Sequence, residues 1–421
     1  MNRGTLNASL PPATQQWIAA QPASHSLLQP FYRDPEVYQV DLDRIWRAGW
    51  LFAAHTCEIP KPGDYITLAV GSDSIIVARD NSGALHAFHN VCRHRGSLLC
   101  DTDCGHTKKI VCPYHCWTYG LDGSLHHAPA TPDSFDKSHY ALQPVALRET
   151  AGLLFICLAT PPPDFEIVND VLATVAKPQG FPRAKVAKQV DYLVKSNWKL
   201  VWENNRECFH CNANHPQYIK ANFDHYNADD TSPRIRELMQ AAVARSEAKW
   251  KASGFTVSHK QTGMTTFPDA ERNIWFAANR TALVEGYVSE TMDGAQVAPL
   301  MGDYTDPEVG TVRIRTLPNF WNHSSCDHVV STRLLPAGPE LTAIRVWWLV
   351  DEKAIEGRDY HLEKLMPFWQ LTSEQDWEIC ERQQRGINSS AYRPGPYSPY
   401  KEYNVDAFVR WYLNQLKSTP E

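Results

Sequence analysis

No stretch of the 421-residue chain is apolar for long enough to cross a bilayer. The longest runs, such as GLLFICLA at 152–159, have the length of a buried strand. The first residues, MNRGTLNASLPPATQQW, carry no apolar run behind Arg3, so no secretory signal is expected. Net positive charge is also missing: at −6 overall the chain has no broad electrostatic attraction for nucleic acid. The 11 cysteines are an odd number spread along the chain. That argues against a disulfide framework and for a reducing, cytoplasmic setting. Internal repeats and low-complexity tracts are absent. What remains is a composition 43% hydrophobic and 21% charged, with 14 Trp, on a chain long enough for two or three domains.

The hydrophobic pattern divides the chain. Residues 1–45 read as a polar, then helical, segment around DPEVYQVDLDRIWRAGWLF. From 46 to 160, β-rich runs (GDYITLAV, DSIIVARD, ALHAFHNV, GLLFICLA) alternate with the turn signals GSDS, DNSG and LDGS, as in a small all-β domain. TPPPDF, from 160, is a stiff linker. Residues 161–421 mix the two periods. SNWKLVWENNRECFHC reads as a helix capped by Ser196 or Asn197, and 217–260 as polar and helix-rich. TVRIRTLPNFW, DHVVSTRLLPA and TAIRVWWLVD read as successive antiparallel strands. RDYHLEKLMPFWQLTSEQDWEICERQQRG reads as one helix stopped by Gly386, and VDAFVRWYLNQL as a terminal helix.

Two constellations carry chemistry. NVCRHRGSLLC and CPYHCWTYG supply Cys92, His94, Cys112 and His115, one thiolate and one imidazole from each knuckle. A structural zinc site usually takes its Cys pair from one knuckle and its His pair from another. Two mixed knuckles suit a Rieske [2Fe–2S] cluster, in which two Cys hold one iron and two His the other. Neutral imidazoles lower the negative charge of such a cluster and raise its potential. Cys100, Cys104 and Cys116 are not expected to be ligands. Gly96 and Gly120 are small enough to bring backbone amides to the sulfurs. Zinc knuckles remain the alternative.

The second constellation is WENNRECFHCNANHP. In a continuous helix Glu203, Glu207 and His210, at i, i+4 and i+7, share one face. His215 precedes Pro216, which pushes it out of helical geometry and lets its ring turn back toward His210. A carboxylate added to two imidazoles makes the facial triad of non-haem iron sites. Asp376 is the candidate, because it falls in an expected buried stripe with Leu365, Trp369, Thr372, Ile379 and Gln383, where an unpaired acid is costly. Glu207 is placed to hydrogen-bond the free ring nitrogen of His210.

With both motifs in this order, C-x-H-x17-C-x2-H then E-x2-H-x4-H, the chain resembles the Rieske-type non-haem iron oxygenases along its whole length. AFHNVCRHRGS, NWKLVWENNRECFHC and QRGINSSAYRPGPYS are most similar to the members acting on quaternary ammonium compounds: stachydrine demethylase, glycine betaine monooxygenase and carnitine oxygenase. In most of the wider family the acid before the first iron-ligand His is Asp. Here Glu207 stands there, as it does in the quaternary-ammonium group.

The resemblance implies an α+β molecule. An N-terminal helical segment (1–45) packs on a helix-grip catalytic domain with an antiparallel sheet (161–421), and an all-β Rieske domain occupies 46–160. It implies a mononuclear Fe(II) at His210, His215 and Asp376, O2 as co-substrate, and electrons from NADH through a flavin/iron–sulfur reductase. It also implies a head-to-tail homotrimer in which Glu207 bridges electron transfer from a neighbour's His94 or His115. No nucleic-acid or membrane partner is expected.

Hydroxylation of an N-methyl group, with loss of formaldehyde, is the expected reaction. A quaternary ammonium has no N–H to donate and is best held by aromatic faces. Phe320 and Trp321, with Trp275 and Phe276, are the candidates, and His323 or an Arg for a carboxylate. An aromatic-ring hydroxylase is the rival enzyme. A Rieske electron carrier is the non-enzyme rival, and it leaves ECFHCNANHP unexplained.

Overall fold

The computed structural model describes residues 9–223, 232–255 and 267–418. The chain forms two compact units, Trp46–Asp164, and Met1–Ile45 together with Phe165–Glu421. The break falls after Asp164 rather than at 160, because the proline stretch stays with the first unit. There Trp50 Nε1 donates to the Pro163 carbonyl at 2.9 Å.

Trp46–Asp164 is built from ten short strands. They are β1 (Leu51–His55), β2 (Asp64–Val70), β3 (Asp73–Arg79), β4 (Leu85–His89), β5 (Cys104–His106), β6 (Ile110–Val111), β7 (Thr118–Tyr119), β8 (Leu125–His127), β9 (Ala146–Thr150) and β10 (Leu153–Cys157). They make three sheets, ordered β1-β10-β9, β4-β3-β2-β5 and β6-β7-β8. One apolar core joins Ile76, Phe88, Trp117, Tyr119 and Leu125 to Cys92 and Cys112, so the knuckles are anchored in close-packed surroundings.

The other unit begins with α1 (Pro12–Ala20), α2 (Pro30–Arg33) and α3 (Pro35–Asp41). After α4 (Glu166–Ala176) comes β11 (Ala184–Val194), followed by α5 (Trp198–Asn205), α6 (Cys211–Asn214), α7 (Tyr218–Ala221) and α8 (Pro233–Ala252). The remaining strands are β12 (Phe276–Thr281), β13 (Thr311–Thr316), β14 (Phe320–Ser324), β15 (Val329–Gly338) and β16 (Leu341–Asp351). The helices α9 (Leu362–Leu365), α10 (Pro367–Ile387) and α11 (Tyr403–Lys417) complete it. One antiparallel sheet runs β11-β16-β15-β14-β13-β12. Helix α10 packs on α5 and on β11, and α11 packs on α5.

The N-terminal segment is tied to this unit by a buried ion pair. Asp41 Oδ2 meets Lys199 Nζ at 2.5 Å, with both side chains fully inaccessible. Trp198 Nε1 at 3.0 Å and the Tyr412 hydroxyl at 2.8 Å complete the carboxylate's partners, joining α3, α5 and α11. Removing one partner of such a pair strands a charge and costs about 3–5 kcal/mol.

Several elements differ from the sequence reading. The helix expected through Phe52 ends as a π-helical turn at Leu42–Trp46, and Leu51–His55 is strand. TVRIRTLPNFW is two strands, because Pro318 has no N–H for the ladder. The long helix expected from Arg358 starts only at Pro367 and runs past Gly386 to Ile387, and Leu365 belongs to a separate turn. The helical reading of 217–260 holds at α7 and α8, and its residues 224–231 and 256–260 lie outside the described residues.

Candidate metal centres

In the all-β unit the two Cys-His knuckles have the same backbone. Cys92 N donates to Ser97 O at 2.8 Å and Gly96 N to Cys92 O at 3.0 Å. The second knuckle repeats this with Cys112 N to Trp117 O at 2.8 Å and Cys116 N to Cys112 O at 3.0 Å. The equivalent residues Gly96 and Cys116 both have positive φ, +77° and +57°. Gly96 therefore serves its turn by conformation. The Gly120 amide donates to Ser124 O at 2.8 Å. A side chain there would strike Asp122 and His126, so it serves the 120–123 turn.

Cys92 and Cys112 are both buried in the core of the unit. The Tyr119 hydroxyl lies 3.3 Å from Cys92 Sγ. The imidazoles of His94 and His115 stand 4.7 Å apart, and His94 stacks on Trp117 at 4.9 Å. His115 Nδ1 is buried without a hydrogen-bond partner. Two buried thiols in one core, two neighbouring imidazoles and an orphaned nitrogen fit a cluster held by two Cys and two His. Cys104 and Cys116 are exposed and Cys100 is half-buried.

The catalytic unit gathers the second set. The expected continuous helix stops at Asn205, so Glu203, Glu207 and His210 do not share a face. Paired Asn204–Asn205 favours a helix end. Beyond it the Glu207 carboxylate accepts hydrogen bonds from Phe209 N and His210 N, which fixes a turn in place of the next helical one. Asn197, not Ser196, caps α5, accepting from Lys199 N at 2.9 Å. Glu203 turns away into the protein, where the Tyr32 hydroxyl donates to it at 2.8 Å and the Tyr397 hydroxyl at 3.3 Å. Burial pushes its pKa up to about 7 against the pull of these hydrogen bonds.

His210 opens the α6 turn and His215 closes it in a non-helical conformation, φ −126° and ψ 65°. Both Nε2 atoms face one oxygen. Asp376 Oδ1 lies 3.3 Å from His210 Nε2 and 2.9 Å from His215 Nε2. Each ring is held by its other nitrogen. His210 Nδ1 lies 2.5 Å from Glu207 Oε1, and His215 Nδ1 lies 2.8 Å from Gln375 Oε1, which also accepts from Gln217 Nε2 at 2.9 Å. Burial pushes the His210 pKa down, but hydrogen bonds to Asp376 and Glu207 outweigh it and hold it up at about 10. Burial alone raises the Asp376 carboxyl, and the two imidazoles bring it below its ordinary value. This is a pocket that seeks a cation, and two Nε2 atoms with one carboxylate fit a mononuclear iron. Asp376 is only part-buried, and Gln383 of the expected stripe is exposed; the buried face of α10 runs through Trp369, Thr372, Ser373, Trp377, Cys380 and Gln384.

These three residues open onto a cavity of about 150 Å³. Its sheet wall is one face of β13 and β14. Arg313 and Arg315 alternate on β13, Trp321 and His323 on β14, and Arg315 pairs across with Trp321. Trp369 and Trp377 of α10 also line it, Trp377 beside Trp321 with ring centroids 6.5 Å apart. His323 lies over Trp369, ring centroids 4.1 Å apart, and burial lowers its pKa despite Glu290 nearby. Arg313 is tied to Asn222 at 2.7 Å and to Glu290 at 3.9 Å. Of the aromatic candidates, Trp321 lines the cavity. Phe320 sits one position off, on the opposite face, and is wholly buried. Trp275 and Phe276 pack edge to face on each other and do not line the cavity. The sequence reading missed Arg313, Arg315, Trp369, Trp377 and Gln375. The period-2 arginines in TVRIRT and the tryptophans flanking Asp376 at −7 and +1 were the available signals.

Residues 49–146 match the Rieske [2Fe-2S] domain family, and residues 181–418 the ring hydroxylating alpha subunit (catalytic domain) family. The chain belongs to the ring-hydroxylating alpha subunits that carry a Rieske domain. It is 43% identical over 411 residues to the glycine betaine monooxygenase oxygenase subunit of Chromohalobacter salexigens, covering 96% of this chain and 89% of that protein. The counterpart in Pseudomonas aeruginosa is 40% identical over 409 residues, with coverage of 96% and 92%. The fold matches the crystal structure of a quaternary ammonium Rieske monooxygenase with L-carnitine bound, at TM-score 0.68, 21% identity and coverage of 98% and 100%. Among the described residues no helix is long and apolar enough to cross a membrane.

Proposed function

We propose that this chain is the oxygenase component of a Rieske non-haem iron monooxygenase that removes an N-methyl group from a betaine, glycine betaine or proline betaine. One observation carries the reading. The His210–His215–Asp376 cluster opens onto a cavity lined by Trp321, Trp369 and Trp377 and by Arg315. Those are the two halves of a zwitterion's recognition. Each aromatic face contributes roughly 0.5–2 kcal/mol toward a quaternary ammonium, and a guanidinium pairs with a carboxylate. Trp321, Trp369 and Trp377 hold the ammonium. Arg315, which lines the cavity opposite Trp321 in the strand register, takes the carboxylate. A cavity of about 150 Å³ suits a compact substrate; drug-sized ligands occupy roughly 300–1,000 Å³. The identity to glycine betaine monooxygenase subunits supports the same substrate class.

When bound, the [2Fe–2S] cluster supplies single electrons and the mononuclear iron activates O2. Cys92, His94, Cys112 and His115 hold the first group, and His210, His215 and Asp376 the second. Glu207 fixes the His210 ring and is the point at which electrons reach the catalytic unit. In this reading NADH is the electron source, through a separate flavin/iron–sulfur reductase, the assembly is a homotrimer, and the setting is cytoplasmic.

The test supplies the iron-loaded protein with reductase, NADH and a panel of betaines, choline and simple arenes, and assays formaldehyde against NADH consumed. Stoichiometric formaldehyde from a betaine is expected. NADH and O2 consumption with a hydroxylated arene and no formaldehyde makes the protein a ring hydroxylase instead.

A further inference from the structure

The turn that carries His210 is closed by a covalent bond that the proposed oxygenation does not use. Cys208 and Cys211 form a disulfide, Cα atoms 5.0 Å apart, bracketing Phe209 and His210. The odd cysteine count excludes a framework, and this single local bond is not one; the other nine cysteines are free. The two sulfurs are unequal. Cys208 is partly exposed, whereas Cys211 is 4% exposed. Both line the cavity. One donor atom each from His210, Cys211 and His215 lie within 4.8 Å of one another.

In a disulfide the Cys211 sulfur has no thiolate charge and is a poor ligand. As a thiolate it is a soft donor beside the two imidazoles. Two His and one Cys, with water in the fourth position, are ligands that Zn²⁺ takes in tetrahedral sites. Two His and one carboxylate alone suit Fe(II) with open positions.

We infer that the Cys208–Cys211 disulfide masks a zinc-type site that shares His210 and His215 with the iron centre: closed, it withholds Cys211; opened by a dithiol reductant, it adds a thiolate beside the two imidazoles and turns them toward Zn²⁺. The inference goes beyond the oxygenase reading and shares with it only the metal-binding role of His210 and His215. The opening step balances. A thiolate of the reductant attacks Cys208 Sγ, the accessible sulfur. The S–S bond breaks, and its electron pair stays on Cys211 Sγ. The reductant's second thiolate then displaces Cys208 from the mixed disulfide, leaving the reductant oxidised. Two electrons and two protons pass to the pair, and Zn²⁺ displaces the proton of Cys211.

The experiment uses the full chain with its Rieske cluster intact, judged by visible absorbance, and the mononuclear metal removed by a chelator. Non-reducing peptide mass spectrometry reports the 208–211 bond. Zn²⁺ affinity is measured by competition with a chromophoric chelator, before and after reduction with a phosphine, and Co²⁺ reports thiolate ligation by its sulfur-to-metal charge-transfer band. Reduction is expected to tighten Zn²⁺ binding at least tenfold and to produce the Co²⁺ band. Cys208→Ser should show both without reductant, and Cys211→Ser neither under any condition. Equal Zn²⁺ affinity in the two states of the unaltered chain, with the bond shown closed and then open, overturns the inference while leaving an iron centre that still binds Fe(II). No 208–211 bond even after mild oxidation also overturns it. Failure to bind Fe(II) and Zn²⁺ in either state overturns the metal centre and the inference together.

Discussion

Glu203 and Glu207 lie four residues apart, and their surroundings give them opposite tasks. Glu203 is buried against Tyr32 and Tyr397 and has its pKa raised from 4.5 to about 7. A raised carboxyl destabilises the fold wherever the unfolded chain is ionised and the folded one resists it. The penalty is absent below pH 4.5, grows as pH rises from there to about 7, and is complete above, on the order of 3 kcal/mol. Glu203→Gln keeps a hydrogen-bonding shape without the charge. Its gain in thermal midpoint over the unaltered chain should be larger at pH 8 than at pH 5, and an equal gain at both removes the titration account.

Glu207 is spent on geometry, its oxygens holding His210 Nδ1 and two backbone N–H groups. Glu207→Gln should retain both metals and lose turnover by about 10- to 100-fold or more. Iron analysis with single-turnover kinetics separates the two, and an unchanged single-turnover rate denies it the electron-bridging role. Arg315→Met should lower kcat/KM for glycine betaine by about 10- to 100-fold, the worth of a charge-assisted hydrogen bond. Turnover of choline, which has no carboxylate, should change far less, and equal losses on both substrates place Arg315 outside carboxylate recognition.

At the scale of elements the site is a clamp between α10 and the turn 206–215. Helix α10 contributes adjacent functions from Gln375 and Asp376, one holding the His215 ring and the other facing its Nε2. Gln375→Leu removes a hydrogen bond from a ring without touching the triad itself. Metal affinity should fall about 10- to 100-fold, read by chelator competition, and an unchanged affinity shows that packing alone orients His215. The triad itself was legible in the sequence, because a His-x4-His pair ending at a proline and an acid within a tryptophan-bearing helix are costly to bury unless a cation joins them. The helix around Glu207 was misread because i, i+4 spacing assumes continuity, whereas Asn204, Asn205 and the Glu207 carboxylate end α5 by local hydrogen bonding. Strand β11, polar at many positions and part-exposed, gave no apolar alternation to read. The cavity walls were half visible: strand periodicity says that Trp321 and His323 share a face and Phe320 does not, but which face meets α10 is decided by tertiary packing.

For the whole molecule, the two centres reside in two compact units, and one is an insertion in the other, leaving the chain of the larger unit after Ile45 and rejoining it at Phe165. Within Trp46–Asp164 the first and last strands, β1 and β10, are antiparallel partners, with Leu51 opposite Ile156. The insertion therefore starts and finishes on neighbouring strands and closes on its own hydrogen bonds. Its core holds Cys92 and Cys112, and all four candidate cluster residues lie inside its bounds. Folding and cluster assembly thus depend on contacts local to the insertion, the condition under which a segment folds alone. Residues 46–164 expressed by themselves should be red-brown, bind two irons per chain and show a Rieske-type EPR signal on reduction. Cys92→Ser or Cys112→Ser in that fragment should abolish colour and signal together, because each removes half of the thiolate pair. A soluble, folded but colourless fragment that reconstitution with iron and sulfide leaves colourless shows that the cluster needs ligands or shielding from outside the insertion.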